Sequence, residues 1–303
     1  MKEKENQLEL DKDGRTEEEF LARYDVDDYE RPSVTNDILI FATEDLKEEN
    51  VRKIPRKGLQ VLLIKRTEHP CINQYGIPGG FIAMDESLGE GAYRKMREET
   101  GIEDLYIEQL YTFGEVDRDP RTRVVTVANM ALVPKKELLR KGYGQYESTW
   151  FWVEKKEVRK EKTEHEFIKQ YELCLESEDQ SIRMIYEVTE KIEKTSLRKK
   201  SVRYQLSEKS NAKLAFDHEQ IIDYGIERLR NKVEYTPIAV YFLPKLFTVK
   251  ELQYVYEAIL GKEVLNFRRK IGSMIVETDE KIEGRPYRPA QMFRFNEEWE
   301  HEF

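Results

Sequence analysis

Glu86, Glu98 and Glu99 are carboxylates, and Arg94 and Lys95 are cations, in a short stretch that also carries Gly79, Gly80 and Gly101. Positions 95, 98 and 99 are spaced i, i+3 and i+4, which puts them on one face of a helix. Carboxylates gathered on such a face supply the oxygen ligands that magnesium requires. A metal held there can polarise a phosphoryl group and activate water. Glu98 and Glu99, with Glu86 nearby in sequence, are the candidate ligands of such a metal, magnesium the candidate cofactor and a phosphoryl compound the candidate ligand. Glycines at 79 and 80 let the backbone approach that ligand.

The run Gly80-x5-Glu86-x7-Arg94-Lys95-Met96-Arg97-Glu98-Glu99-Thr100-Gly101-Ile102 resembles the Nudix box, G-x5-E-x7-R-E-U-x-E-E-x-G-U with U aliphatic. Every fixed position matches except 95, where the family carries a metal-binding glutamate. The resemblance implies an α/β/α sandwich and a nucleotide diphosphate site. Lys95 removes a ligand oxygen and adds a cation. Unit charges at about 4 Å interact by roughly 4 kcal/mol at an effective dielectric near 20, so turning attraction into repulsion toward a dication is a large penalty. Two arrangements are open. Lys95 can pair with Glu99, and Arg94 with Glu98, giving a neutralised face that greets a phosphate through lysine. Alternatively, Lys95 points to solvent and the three glutamates still hold metal. The box thus predicts weak or absent hydrolysis, with no residue assigned a catalytic role.

Other residues extend the candidate ligand site. Arg66 follows the strand-like run Leu59–Lys65 and can contact phosphate. The run Tyr111-Thr112-Phe113-Gly114-Glu115-Val116-Asp117-Arg118-Asp119-Pro120-Arg121 places an aromatic, a glycine and alternating charges in one loop. Phe113 can stack on a base and Arg118 can hold a phosphate, with Asp117 and Arg121 beside them. The competing reading is a salt-bridged turn.

The elements that would position these groups follow from periodicity. Residues 1–33 read as a charged lead with a short helix, because Thr16 and Glu19 form a capping box before Phe20, Leu21 and Tyr24. Ile38–Phe41, Leu59–Ile64, Tyr106–Thr112, Val124–Leu132 and Thr149–Val153 read as strands. Glu86–Thr100 reads as a helix that Gly101 ends. The first domain spans 34–216. Its charged insertion, about 154–210, alternates at Ile182, Met184, Tyr186 and Val188 and again at Val202, Tyr204 and Leu206. That pattern predicts two strands joined by a lysine-rich connection, against a solvated linker.

From 217 to 303 the period is helical. Asp217 and Gln220 suit a capping box before the stripe Ile221, Ile222, Ile226 and Leu229. Thr248 and Glu251 cap a helix that Gly261 ends, and a third helix is expected over Val264–Met274. A strand, a polar turn at Asp279–Gly284 and a strand at Met292–Phe295 complete the order of a winged helix-turn-helix. Asn266, Arg268, Arg269 and Lys270 open the third helix and suit a DNA major groove, while Arg285 and Arg288 suit a basic wing. Between Pro237 and Asn296 there are ten Lys and Arg against seven Asp and Glu, a local basic excess in a chain of net charge −9.

The joint Leu214-Ala215-Phe216-Asp217-His218, the segment Phe247–Gln253 and Asn266-Phe267-Arg268-Arg269-Lys270 resemble the Nudix-related transcriptional regulators. That resemblance implies an α+β chain, a Nudix α/β/α sandwich followed by a winged helix-turn-helix domain. It implies a regulator of NAD or sugar-use genes that binds double-stranded DNA and senses ADP-ribose or a related nucleotide diphosphate. A single winged helix offers a small DNA interface, whereas dimers read paired half-sites, so a homodimer is expected. The alternatives are an ADP-ribose or nucleotide-sugar pyrophosphatase with an accessory C-terminal domain, and an inactive Nudix scaffold for protein partners. Cys71 and Cys174 lack metal-ligand spacing, and the first residues lack an apolar signal region. With no apolar run near the roughly 20 residues of a membrane helix, the expectation is a cytoplasmic protein with no membrane contact.

Overall fold

The computed structural model describes residues 9–47, 54–102, 105–135, 148–194, 199–282 and 290–299, with no side chains described at 281 and 282. The first helix, α1 (Glu17–Arg23), has the capping box at Thr16 and Glu19 and buries no residue. Strands β1 (Ser33–Asp45), β2 (Lys57–Lys65), β3 (Tyr75–Gly76) and β4 (Gly79–Phe81) precede helix α2 (Leu88–Thr100). Strands β5 (Tyr106–Phe113), β6 (Val124–Val133), β7 (Ser148–Lys162), β8 (Glu166–Ser177), β9 (Arg183–Glu193) and β10 (Lys199–Leu206) follow. They form one sheet in the order β10-β9-β8-β7-β2-β1-β6-β5, with β3 on β2 and β4 on β1.

β1 and β6 run parallel inside this sheet, next to the edge strand β5, and are covered on both faces. That double burial explains the unbroken apolar run Ile38–Phe41. Ile38, Ile40 and Ala42 face Ala92 and Met96 of α2. Leu39 and Phe41 join the cluster that contains Ile221, Ile222, Ile226 and Leu229 of α3 (His218–Lys232). The linker helix is thus the second cover of the sandwich, and its expected apolar stripe seals the sheet.

The charged insertion holds more structure than two strands. β7 to β10 make a continuous antiparallel meander. Inward Tyr171, Leu173 and Leu175 alternate with Glu172, Cys174 and Glu176 on β8. The distal halves carry charges on both faces, as in the run from Glu157 to Lys162 of β7, which is almost wholly exposed. Backbone pairing rather than an apolar face extends them, so the side-chain pattern does not announce them.

The C-terminal unit comprises a 3₁₀ turn (Ile238–Phe242), α4 (Val249–Leu260), α5 (Phe267–Ile271), a 3₁₀ turn (Gly272–Met274) and the hairpin β11 (Ile275–Ile282) and β12 (Ala290–Phe295). α4 has the expected Thr248–Glu251 capping box and ends at Gly261. The third helix is shorter than expected. Asn266 with φ 52° precedes it and Gly272 with φ 45° follows it, and each breaks the right-handed helical path. Much of the expected turn at Asp279–Gly284 is strand instead, because β11 runs to Ile282.

Candidate ligand site and nucleic-acid interface

Helix α2 starts later than the box suggests. Ser87 caps it in a reciprocal box with Glu90, leaving Glu86 in the preceding loop. Glu86 accepts the Ala83 N–H at 2.8 Å and two Arg94 nitrogens at 2.8 and 2.5 Å. Arg94 holds the Glu86 carboxyl well below the usual range, at about 2. Arg94 also reaches Glu98 at 3.1 Å, and Lys95 Nζ lies 2.8 Å from the other Glu98 oxygen. Lys95 thus pairs with Glu98, where one of the two open arrangements had it pair with Glu99. Glu99 belongs to the buried stripe of Ala92 and Met96, is 4% exposed, and has its carboxyl pushed upward by burial. Lys95 does not point freely to solvent either. Its stem lies on Gly80, where a Cβ would come within 2.6 Å of Lys95 Cε. Gly79 is equally crowded, since a Cβ there would meet Asp37 Oδ1 at 2.2 Å.

A divalent cation does not fit this face as built. Glu86 and Glu98 are held by cations, Glu99 is turned inward, and no cluster of three acidic, His or Cys residues forms a cage among the described residues. What the face offers an anion is the Lys95 ammonium beside the glycine-rich backbone of β4.

The loop after β5 reaches the other side of the sheet. Arg118 is buried and makes a two-pronged bond to Asp217 at 3.0 and 2.8 Å, with Asp37 at 3.6 Å. This engagement is why Asp217 does not cap α3, contrary to the sequence expectation. Thr126 donates to Asp37 at 2.8 Å, while burial pushes the Asp37 carboxyl upward. His218 Nδ1 accepts the Ile77 N–H at 2.9 Å, so its proton sits on Nε2. Burial lowers the His218 pKa to about 4.

The remaining expected ligand residues have defined partners too. Arg66 Nε donates to the Pro70 carbonyl at 2.9 Å, and its guanidinium lies 5.0 Å over Phe216. Arg121 grips Asp119 at 3.0 and 2.7 Å and lies 5.5 Å over Phe81. Phe113, partly exposed, meets Tyr111 edge-on at 5.2 Å and Tyr224 at 6.1 Å. Asp117 and Arg118 line a cavity of about 540 Å³ with Cys71, Lys213, Asp217 and Glu219. Burial pushes the Glu219 carboxyl up to about 7.

On the C-terminal unit, Arg269 is exposed and makes no ion pair among the described residues. Arg268 lies 5.6 Å over Phe293, and Lys270 bonds Glu234. Asn266 opens α5. Arg285 and Arg288 lie outside the described residues.

Residues 50–173 match the NUDIX domain, and residues 239–295 match the NrtR DNA-binding winged helix domain. Over 287 residues the chain is 31% identical to the ADPR responsive transcriptional repressor NtrR of Acinetobacter baylyi, covering 92% of this chain and 88% of that one. The chain belongs to the NrtR family. Shewanella oneidensis NrtR in complex with a 27mer DNA is similar with a TM-score of 0.57 at 27% identity, over 87% of this chain and 93% of that one. A MutT/nudix family protein from Enterococcus faecalis has a TM-score of 0.63 at 26% identity, over 93% and 94%.

In this NrtR-family chain the candidate residues fall into three places. Glu86, Arg94, Lys95, Glu98, Gly79 and Gly80 meet at the α2 face. Arg66, Asp117 and Arg118 border the joint with α3, and Arg121 lies over Phe81 at the end of β4. The basic residues of α5 are remote in sequence from both. Sequence reasoning missed Asp37, Asp217, His218 and Glu219 as partners. An acid directly before the apolar run Ile38–Phe41 was the available signal for Asp37.

Proposed function

We propose that this chain is a transcriptional repressor that responds to ADP-ribose, taking the sugar nucleotide in its Nudix domain and DNA on its winged helix. The carrying observation is Lys95, an ammonium on the Nudix face, bound to Glu98 and joined in one chain to a winged helix unit. An ammonium cannot activate water as a metal does, and the cavity lined by Arg118 and Lys213 supplies the cations that hold the diphosphate. ADP-ribose is therefore bound without efficient hydrolysis, and magnesium is not needed to hold it. Calorimetry with ADP-ribose, with and without magnesium, paired with a product assay, tests this. Binding in the absence of magnesium and negligible product are expected, whereas rapid hydrolysis would favour the pyrophosphatase reading.

The working unit is a homodimer. A five-residue α5 offers one small reading surface, and a two-fold pair of winged helices spans two half-sites. Light scattering at micromolar concentration, with and without DNA, is expected to give twice the chain mass; a monomer in both conditions would count against it.

A further inference from the structure

Helix α3 touches the ligand side at one end and the DNA-reading side at the other. At its start, Asp217 is held by Arg118 of the loop that follows β5. Near its end, Arg230 Nε donates to the Ile259 carbonyl of α4 at 3.1 Å, and Glu234 bonds Lys270 of α5. Between these ends α3 lies along β5, the edge strand of the sheet. The contacts come from Tyr224, Arg228 and Lys232, spaced i, i+4 and i+8 on one helical face.

Tyr224 meets Tyr111 at 5.0 Å. The β5–β6 register shifts between Gln109 and Tyr111, and the Leu110 carbonyl accepts from Arg228 Nη2 at 2.9 Å. Lys232 bonds Glu108, and its Nζ lies 3.0 Å from the Tyr106 hydroxyl. Tyr106 in turn packs on Tyr241 of the 3₁₀ turn at 4.6 Å, where the winged helix unit begins. The ladder thus runs from the ligand loop to the DNA-reading unit without a gap.

We propose that Arg228 and Lys232 are positioning residues that couple ligand occupancy to the aim of the recognition helix, by fixing how α3 lies on β5. The inference rests on the ADP-ribose reading above. A diphosphate offers Arg118 the same paired acceptors that Asp217 offers. Ligand and Asp217 therefore compete for one guanidinium, which supplies the differential contact that any ligand-driven shift requires. Releasing Asp217 frees the start of α3, and the β5 ladder carries the shift to Arg230 and Glu234. Neither Arg228 nor Lys232 lines the ligand cavity or lies on α5.

The test compares the full-length wild type, Arg228→Ala/Lys232→Ala and Lys232→Arg. ADP-ribose affinity is read by calorimetry. Affinity for a duplex spanning the region upstream of its own gene is read by fluorescence anisotropy, with and without saturating ADP-ribose. In the wild type ADP-ribose lowers DNA affinity by about 5- to 150-fold, the usual range of coupling between sites. In the double variant ADP-ribose affinity stays within about twofold, while the effect of ADP-ribose on DNA shrinks to less than about twofold on the scale that defines coupling. Lys232→Arg keeps the cation and restores most of the coupling. A double variant that binds ADP-ribose and releases DNA as fully as the wild type overturns the proposal. If the double variant does not fold, Lys232→Met alone replaces it, and undiminished coupling there has the same meaning. A wild type that binds ADP-ribose yet keeps its DNA affinity overturns the functional reading and the coupling together.

Discussion

Lys95 and Glu98, three residues apart on α2, face each other at 2.8 Å across the surface where the Nudix pattern places metal ligands. The pair converts a metal-gathering face into a neutralised one, with Arg94 clamping Glu86 beside it. Lys95→Glu is expected to raise magnesium affinity by at least tenfold, because it removes a repelling charge and restores a ligand oxygen. Magnesium titration by calorimetry checks this. Equal affinities in the two proteins would show that position 95 does not govern metal binding.

Arg118 neutralises two buried acids, Asp217 and Asp37. Arg118→Ala leaves both carboxylates without their countercharge, and breaking a buried pair costs about 3–5 kcal/mol. Urea unfolding should show a loss of that order, and calorimetry should show lost ADP-ribose binding. A loss below about 1 kcal/mol, the range of exposed pairs, would mean that water reaches the pair in solution.

His218 is packed among Asp37, Asp217, Arg118 and Arg66, and burial lowers its pKa from 6.5 to about 4. The unfolded chain takes up a proton near 6.5 that the folded chain refuses until about 4. Stability is therefore fully present above 6.5 and lost as pH falls toward 4. At the acid end this group accounts for about 3 kcal/mol of loss. His218→Gln keeps an acceptor for the Ile77 N–H and should flatten that part of the profile. Urea midpoints of both proteins across this window decide it; parallel curves would assign the acid sensitivity elsewhere.

The sandwich and the winged helix were legible because their apolar residues keep strict periods, as in Ile221, Ile222, Ile226 and Leu229 of α3 or Leu252, Val255, Tyr256 and Ile259 of α4. The face on α2 was legible as a pattern, but its pairing was not, since only packing turns Glu99 inward and leaves Glu98 to Lys95. The Arg118–Asp217 bond joins residues 99 positions apart, a distance over which local pattern carries no information. Asp217 looked like a helix cap for the same reason. Two left-handed residues, Asn266 and Gly272, shortened a recognition helix whose composition suggested a longer one.

The basic residues of α5 should differ in their work on DNA. Arg269 is uncommitted among the described residues, whereas Arg268 rests on Phe293 and Lys270 is held by Glu234. Arg269→Ala should relax sequence preference by about 1–3 kcal/mol at one base pair. Arg268→Ala should weaken specific and random duplexes alike. Binding series on both duplexes over a range of salt separate the two effects; an Arg269→Ala protein with unchanged discrimination would remove Arg269 from the reading surface.

One chain is expected to hold DNA and to let go when ADP-ribose binds. The most direct measurement is anisotropy of a labelled duplex from the region upstream of its own gene, bound by the wild-type protein and titrated with ADP-ribose without magnesium. Release of the duplex is expected over the same concentrations at which calorimetry detects ADP-ribose binding, with the ADP-ribose recovered intact. A duplex that stays bound while the protein is saturated with ADP-ribose would contradict it.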